Sequence, residues 1–517
     1  MTAKTTVGWP QLVALLLVAW GLLVYRIDAP YHEFHNANGA WISASIRNFR
    51  EYGMPALGYL PTREAGPTSP ETYEPYFNHP PMPVWLPGVM SLAGGLNEVS
   101  VRFVFVSATL LSVVGLYVLT RRLYDARIAW WACVIYLIMP LTTYFGRSPD
   151  WFLMSLAAGV LYAAVFVNWL RRPTWARFTG MAALAVFGVY TFWVMILYVG
   201  LLGLLALLIG SNRHRLQTML MGGVGVLAVG SMLGLYSLGV SGFFSQMTDI
   251  FLWRAGGITE ENMSRLPDLC ALADSPRCEA TLSTFTWLEF WQDFFYDFIS
   301  TMTPGIFLLA VVGIPVAWRM GNAQTRWIVG TLYGVVLVWV LLLRNANYTH
   351  HFYSIYLFVP AAITAATVMP FALRRTPAPA FTRLARAFVV ALVVTGAANG
   401  LFLYLQYHSS GTLPHMVLNE RVVYHGETIN TLADLTREDD FIMTNVEFLY
   451  EFMAMEYYAY RDVKWGYQPE DALQYAAEAG RPTSYMFCAP DATVPDGFAD
   501  FPVATGENSC LVFRMAG

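Results

Sequence analysis

Asp150 is the sharpest chemical signal in the sequence. It stands in GRSPDW, a polar link only a few residues long between two apolar runs. A carboxylate so close to hydrocarbon is costly to keep and by default marks a functional group. It has the chemistry of a general base or of a cation ligand. Arg147, three residues earlier, offers a plainer reading as a structural ion partner. Glu33 and Asp28 follow the first apolar run with the same two options, and a solvated loop acid is the bland alternative. Asn78–Pro81 reads NHPP, a rigid turn able to hold His79 at the mouth of a cavity. A loop-to-helix start explains it as well, because proline suits a first helical position. NANYTHHFY gathers Tyr348, His350, His351 and Tyr353 beyond another apolar run. Adjacent histidines point to different helix faces, which disfavours chelation and suits phosphate or sugar contact, or an interfacial belt. Arg254, in FLWRAGG, is a cation able to pair with a phosphate, or an ordinary surface arginine.

What must position these residues follows from composition. The chain has 517 residues, 56% hydrophobic and 13% charged. Soluble domains carry roughly 25% charge, so this is a polytopic α-helical membrane protein. A net charge of −4 argues against a nucleic-acid partner. A span needs about 20 apolar residues. Such runs fall at about 9–25, 101–120, 128–146, 151–169, 177–191, 193–210, 217–238, 303–319, 326–343, 352–372 and 387–405. The first is read as an uncleaved span, since no small-residue cleavage site follows it. The stretch 80–97 is apolar but rich in proline and glycine, and charge decides its placement. If it does not cross, Arg121/Arg122/Arg127, Arg171/Arg172/Arg177, Arg213/Arg215, Arg319/Arg326 and Arg374/Arg375/Arg383/Arg386 all share a side with Lys4. That is the positive-inside pattern. The expectation is eleven spans plus interfacial helices, N-terminus inside, C-terminus outside, in a cell inner (plasma) membrane, with 80–97 interfacial or re-entrant.

The expected domains are a membrane domain over 1–405, with external loops at 26–100 and 239–302, and an extracytoplasmic α/β domain over 406–517. Eight of the nine histidines then lie outside, and only His214 inside. In the first loop, Trp41, Ile42, Ile46 and Phe49 recur at helical spacing, and Gly53 ends the helix. An amphipathic helix of this kind lies in the interface. In the tail, DFIMTN, TSYMFCA and SCLVFRM read as strands, with EFLYEFMAMEYYAY and PEDALQYAAEAG as helices. Cys270 with Cys278, and Cys488 with Cys510, are external pairs expected to form disulfides, free thiols being the alternative. Cys133 is alone in a span.

The order of motifs resembles a known family. A first span leads to an external loop with an Arg47-Asn48…Gly53 helix and an HPP element. A span then opens with Arg102 and ends in RRLY, followed by an outward R-x-x-D turn and RR after the next span. This resembles the GT-C membrane glycosyltransferases of the protein O-mannosyltransferase and lipid A aminoarabinose transferase type (glycosyltransferase family 39-like). The likeness covers about 1–210 well, 303–405 more loosely and the tail weakly. It implies a GT-C-like fold and an enzyme that takes a sugar from a polyprenyl-phosphate donor. The sugar would pass, with inversion, to a hydroxyl of a lipid, protein or glycan acceptor on the external face. Asp150 matches the family's second-loop acid, His79 falls where relatives often have the lysine of HKPP, and Arg47 and Asn48 match the loop-helix pair. The site this implies has Asp150 and Glu33 as catalytic carboxylates, and as ligands of a divalent metal if one is used. His79, Arg254, His350 and His351 would face the donor phosphate. Asn36, Asn38, Arg47, Asn78, Tyr348 and Tyr353 would face substrate. One departure stands out. Relatives usually carry an acidic pair about nine residues before that arginine, where this chain reads HNANGA. Glu33 taking the role by a register shift, a site using Asn and His differently, and a catalytically impaired copy all stay open. A lipid or glycan flippase is the rival reading, although few ionisable residues sit mid-span and no inverted halves are visible.

Overall fold

The protein is described by a computed structural model. It describes residues 8–31, 37–62, 65–66, 70, 73–256, 286–349, 351–373 and 379–410, and, in the tail, 436, 440–445, 457–458, 460, 462–465, 469–470, 472–474, 483–488, 494–501, 503–505 and 510–515. Two compact units emerge. The first is Met1–Ile27, Asn78–Pro83 and Phe103–Leu418, and the second is Asp28–Phe77, Val84–Arg102 and Asn419–Gly517. The first loop therefore groups with the tail, rather than the chain dividing once at 405.

All eleven expected spans are helical. Among the described residues six helices are long and apolar enough to cross a membrane: Glu98–Leu123, Trp151–Arg171, Asn212–Gly239, Ala323–Leu342, Tyr353–Ala372 and Ala380–Phe402. The shorter apolar helices Trp9–Val24, Ala126–Ile138, Trp175–Val189, Val194–Ile209 and Pro304–Met320 occupy the other expected positions. The run expected at 128–146 is broken. It forms Ala126–Ile138 and Pro140–Phe145, with extended Met139 between them. Met139 precedes a proline, and a proline disfavours helical backbone at the residue before it. The stretch 80–97 contains the 13-residue helix Met82–Gly94 with Pro87 inside it. At 1.5 Å per residue it reaches about 20 Å, short of the roughly 30 Å of a hydrocarbon core.

In the first unit the arginine-bearing links come together at one end. Arg171 donates to the Arg122 carbonyl. The Tyr124 hydroxyl donates to the Ala317 carbonyl at 3.1 Å, and the Thr325 hydroxyl to the Leu123 carbonyl at 3.2 Å. His214 Nε2 lies 3.1 Å from the Leu170 carbonyl. Four links that precede or follow different helices thus share one end, as the charge pattern requires of a common side.

In the second unit, Ala37–Tyr52 is the expected loop helix, and Gly53 closes it with φ +83°, a conformation that favours glycine. Its Trp41 indole donates to the Thr62 carbonyl at 2.5 Å, and Arg50 donates to Ser91 Oγ at 2.7 Å. The tail forms a five-stranded sheet in the order β2-β1-β3-β5-β4. The strands are β1 Phe441–Thr444, β2 Asp462–Trp465, β3 Thr483–Cys488, β4 Val503–Thr505 and β5 Cys510–Met515. β1 is parallel to β2 and β3, while β5 is antiparallel to β3 and β4. Phe441, Met443, Tyr485, Phe498, Phe513 and Met515 form its core. The three expected strands are present. β2 and β4 are additions, too short and polar to stand out by alternation.

Candidate active site

Asp150 is 1% exposed and caps Trp151–Arg171 from an extended backbone, its Oδ1 accepting from the Trp151 N–H at 2.7 Å. A helix N-terminus favours a carboxylate, which offsets part of the cost of its burial. The turn before it is fixed from below. Thr109 Oγ1 donates to the Gly146 carbonyl at 2.8 Å. A Cβ on Gly146 would lie 2.4 Å from the Thr142 carbonyl oxygen and 2.6 Å from Leu23 Cδ2, so only glycine fits. Arg147, 1% exposed, donates to the Tyr25 carbonyl and, at 3.2 Å, to that of Arg26. It ties the end of Trp9–Val24 to the turn that carries Asp150.

His79 lies against this cap. Its ring centroid is 4.2 Å from that of Trp151 and 5.3 Å from that of Phe192. The Tyr236 hydroxyl donates to the His79 carbonyl at 2.7 Å, and the Trp193 indole donates to the Asn78 carbonyl at 3.1 Å. The Met82 N–H donates to the Tyr190 carbonyl at 3.0 Å. The NHPP turn is thus pinned to Trp175–Val189, Val194–Ile209 and Asn212–Gly239 by its main chain.

Tyr353, 2% exposed, packs edge-on to Phe152 and Trp339 at 5.6 Å each. The charges of Arg254 and Asp150 both act on its hydroxyl. Arg254 ends the helix Phe243–Ala255. That end is held by Arg344, which donates to the Ala255 carbonyl at 3.3 Å and lies 4.7 Å over the Trp287 ring. The first unit therefore sets His79 on Trp151, the residue after Asp150, and Tyr353 within electrostatic reach of both Asp150 and Arg254. A buried carboxylate and an imidazole adjoin there among aromatic faces, with a phenol in the field of that carboxylate and of a guanidinium. That set can take a proton and stabilise an anion. Trp151, Phe192, Trp193, Tyr236 and Trp339 were not singled out from the sequence.

Residues of the second unit are engaged differently. Arg47, expected at substrate, donates to the Ala65 and Gly66 carbonyls at 2.9 and 3.4 Å. Its guanidinium lies 4.2 Å over the Tyr460 ring and 5.5 Å over that of Tyr457. Burial lowers its pKa from the ordinary arginine value, opposed mainly by Tyr460 and Tyr457. Tyr458 accepts the Tyr31 N–H at 2.9 Å and donates to Glu98 Oε1 at 2.6 Å. Arg102 lies 4.8 Å over the Tyr31 ring and donates to the Ala29 carbonyl and, at 3.2 Å, to that of Pro30. Asn38 is buried in the loop helix. Glu33, Asn36 and His350 lie outside the described residues, as do Cys270 and Cys278, and so do the side chains of Tyr348, His351, Cys488 and Cys510. Among the described residues no three His, Cys, Asp or Glu side chains assemble as a metal site.

The family described as dolichyl-phosphate-mannose-protein mannosyltransferase matches residues 78–234, a segment that holds both His79 and Asp150. Among curated proteins none matches. The structure of ArnT from Cupriavidus metallidurans bound to undecaprenyl phosphate is similar over 97% of each chain, with a TM-score of 0.59 and 13% identity. The same protein in the apo state gives 0.58 and 12%, again over 97% of each chain. The oligosaccharyltransferase AglB from Archaeoglobus fulgidus, in complex with an inhibitory peptide and a dolichol-phosphate, gives 0.53 and 11% over 93% of this chain and 70% of that one. The chain has the GT-C fold of membrane glycosyltransferases, with a small C-terminal α/β region.

Proposed function

We propose that this protein transfers a sugar from a polyprenyl-phosphate carrier to an acceptor hydroxyl, with inversion, on the external face of the cell inner membrane. The observation that carries the reading is the buried Asp150 carboxylate at the start of Trp151–Arg171, with the His79 ring packed on Trp151. Support comes from the family match over 78–234, and from structural neighbours solved with undecaprenyl phosphate and with a dolichol-phosphate.

In this reading the acceptor oxygen attacks C1 of the sugar as Asp150 takes its proton. The bond from C1 to the phosphate oxygen breaks, and the electron pair leaves with the polyprenyl phosphate. Arg254 and His79, with His350 and His351, stabilise the growing phosphate charge. Tyr353, Asn78 and Tyr348 contact substrate. The acceptor is a lipid, a protein or a glycan.

The test is transfer of a labelled sugar from a purified polyprenyl-phosphate sugar by the full chain in detergent. Asp150→Asn is expected to lower turnover by about 10²–10⁴-fold, the usual worth of a positioned proton acceptor, and to leave donor binding nearly intact. Equal turnover in the variant removes Asp150 from the mechanism. Passage of the intact lipid between leaflets, with no loss of sugar, would favour a flippase instead.

A further inference from the structure

We propose that Cys488 and Cys510 are joined by a disulfide that closes the last rung of the tail sheet. The two are Cα partners in the antiparallel pair of β3 with β5, at the rung where β3 ends and β5 begins. Directly opposed residues of an antiparallel ladder have Cα atoms about 4.5 or about 5.5 Å apart, depending on the kind of pair. Disulfides bridge Cα separations of about 4.4–6.8 Å, so both kinds of pair fall within reach. Opposed positions also share one face of the sheet, where Cβ atoms stand about 4.5–5.5 Å apart.

The place also suits a staple. The chain leaves β3 after Cys488 and enters β5 at Cys510, and in between it carries the edge strand β4 and two aromatics packed at the tail core, Phe498 and Phe501. The ends of ladders fray, and here both ends of that excursion meet at a single rung. Closing it removes conformations from the unfolded chain. Formation is a thiol–disulfide exchange. A thiolate of the pair attacks an external disulfide, and the second thiolate resolves the mixed disulfide. The two cysteines lose two protons and two electrons, and the external disulfide leaves as two thiols. An oxidising compartment holds such partners, and it is the one proposed for the tail.

The test uses the full chain extracted from membranes, with an alkylating reagent present and no reductant. Cleavage at aspartate, with Asp491, Asp496 and Asp500 between the two cysteines, separates their peptides unless they are linked. The expected result is one peptide pair that comes apart only on reduction. Alkylation of both cysteines before reduction, or linkage of either to Cys270 or Cys278, overturns the proposal. As a second measurement, reductant should speed proteolysis within 489–509 of the natural chain and leave the rate for C488S/C510S unchanged. Equal sensitivity to reductant in both chains would also overturn it. Neither readout depends on sugar transfer, so a failure here is distinct from a failure of the proposed reaction.

Discussion

His79 is held through its carbonyl by Tyr236 and through its ring faces by Trp151 and Phe192. His79→Phe keeps an aromatic ring against Trp151 and Phe192 and removes the imidazole nitrogens. We predict that the variant folds normally and that its KM for the lipid donor rises about tenfold or more, the worth of one charge-assisted hydrogen bond. Initial rates at varied donor concentration measure this, and an unchanged KM would separate His79 from the phosphate. Asp150 and His79 were legible in the sequence because each breaks a local rule. One is a carboxylate at the edge of hydrocarbon, and the other is an imidazole in a turn stiffened by proline. Phe192 and Trp339 were not legible. Inside an apolar run an aromatic reads the same whether it faces lipid, core or ligand, and only the packing distinguishes them. Arg47 shows the converse. Its hydrogen bonds go to the Ala65 and Gly66 carbonyls and its face to a tyrosine of the tail, partners that spacing in the loop does not foretell.

At the scale of elements, apolar length gave the spans and Gly53 the end of the loop helix, while the joining of the tail to the first loop was hidden. That joint depends on single contacts between residues hundreds of positions apart, such as Tyr31 with Tyr458, and periodicity carries no trace of them. It also makes a prediction about pH. Burial first, then the Glu98 carboxylate, raises the Tyr458 phenol above its ordinary value, and burial raises Tyr31 likewise. The unfolded chain releases these protons near pH 10, so their contribution is whole below about pH 10 and is lost as pH rises from there toward the folded values. The second unit should therefore loosen in alkali. Tyr458→Phe should lower stability at neutral pH by about 1–3 kcal/mol, because Glu98 loses its donor and the Tyr31 amide its acceptor. The variant should also show a shallower alkaline loss than the natural chain. Unfolding midpoints from about pH 8 to about pH 11, read beside tyrosinate absorbance, test this. Parallel alkaline slopes in the two chains would assign the effect to other groups.

For the whole molecule, the decisive relation is between the arginine links and the candidate site. Trp151–Arg171 is 21 residues long, with Asp150 at its start and Arg171 at its end. At 1.5 Å per residue the two ends stand about 30 Å apart, the thickness of a hydrocarbon core. Arg171 reaches the Arg122 carbonyl, the Tyr124 hydroxyl reaches Ala317, and His214 Nε2 is paired with the Leu170 carbonyl. The basic links therefore gather at the end of the first unit away from Asp150. If that end is cytoplasmic, as positive residues prefer, Asp150 and Tyr353 face the external side. We predict that a reporter fluorescent only in the cytoplasm is bright when fused after Ser211 and dark when fused after Gly517. Extra lysines placed in the 211–215 link should leave this pattern unchanged, because they strengthen a bias already present. A dark fusion at Ser211 would turn the molecule over. The buried carboxylate would then face the cytoplasm, and a lipid-linked donor presented outside would have no route to it.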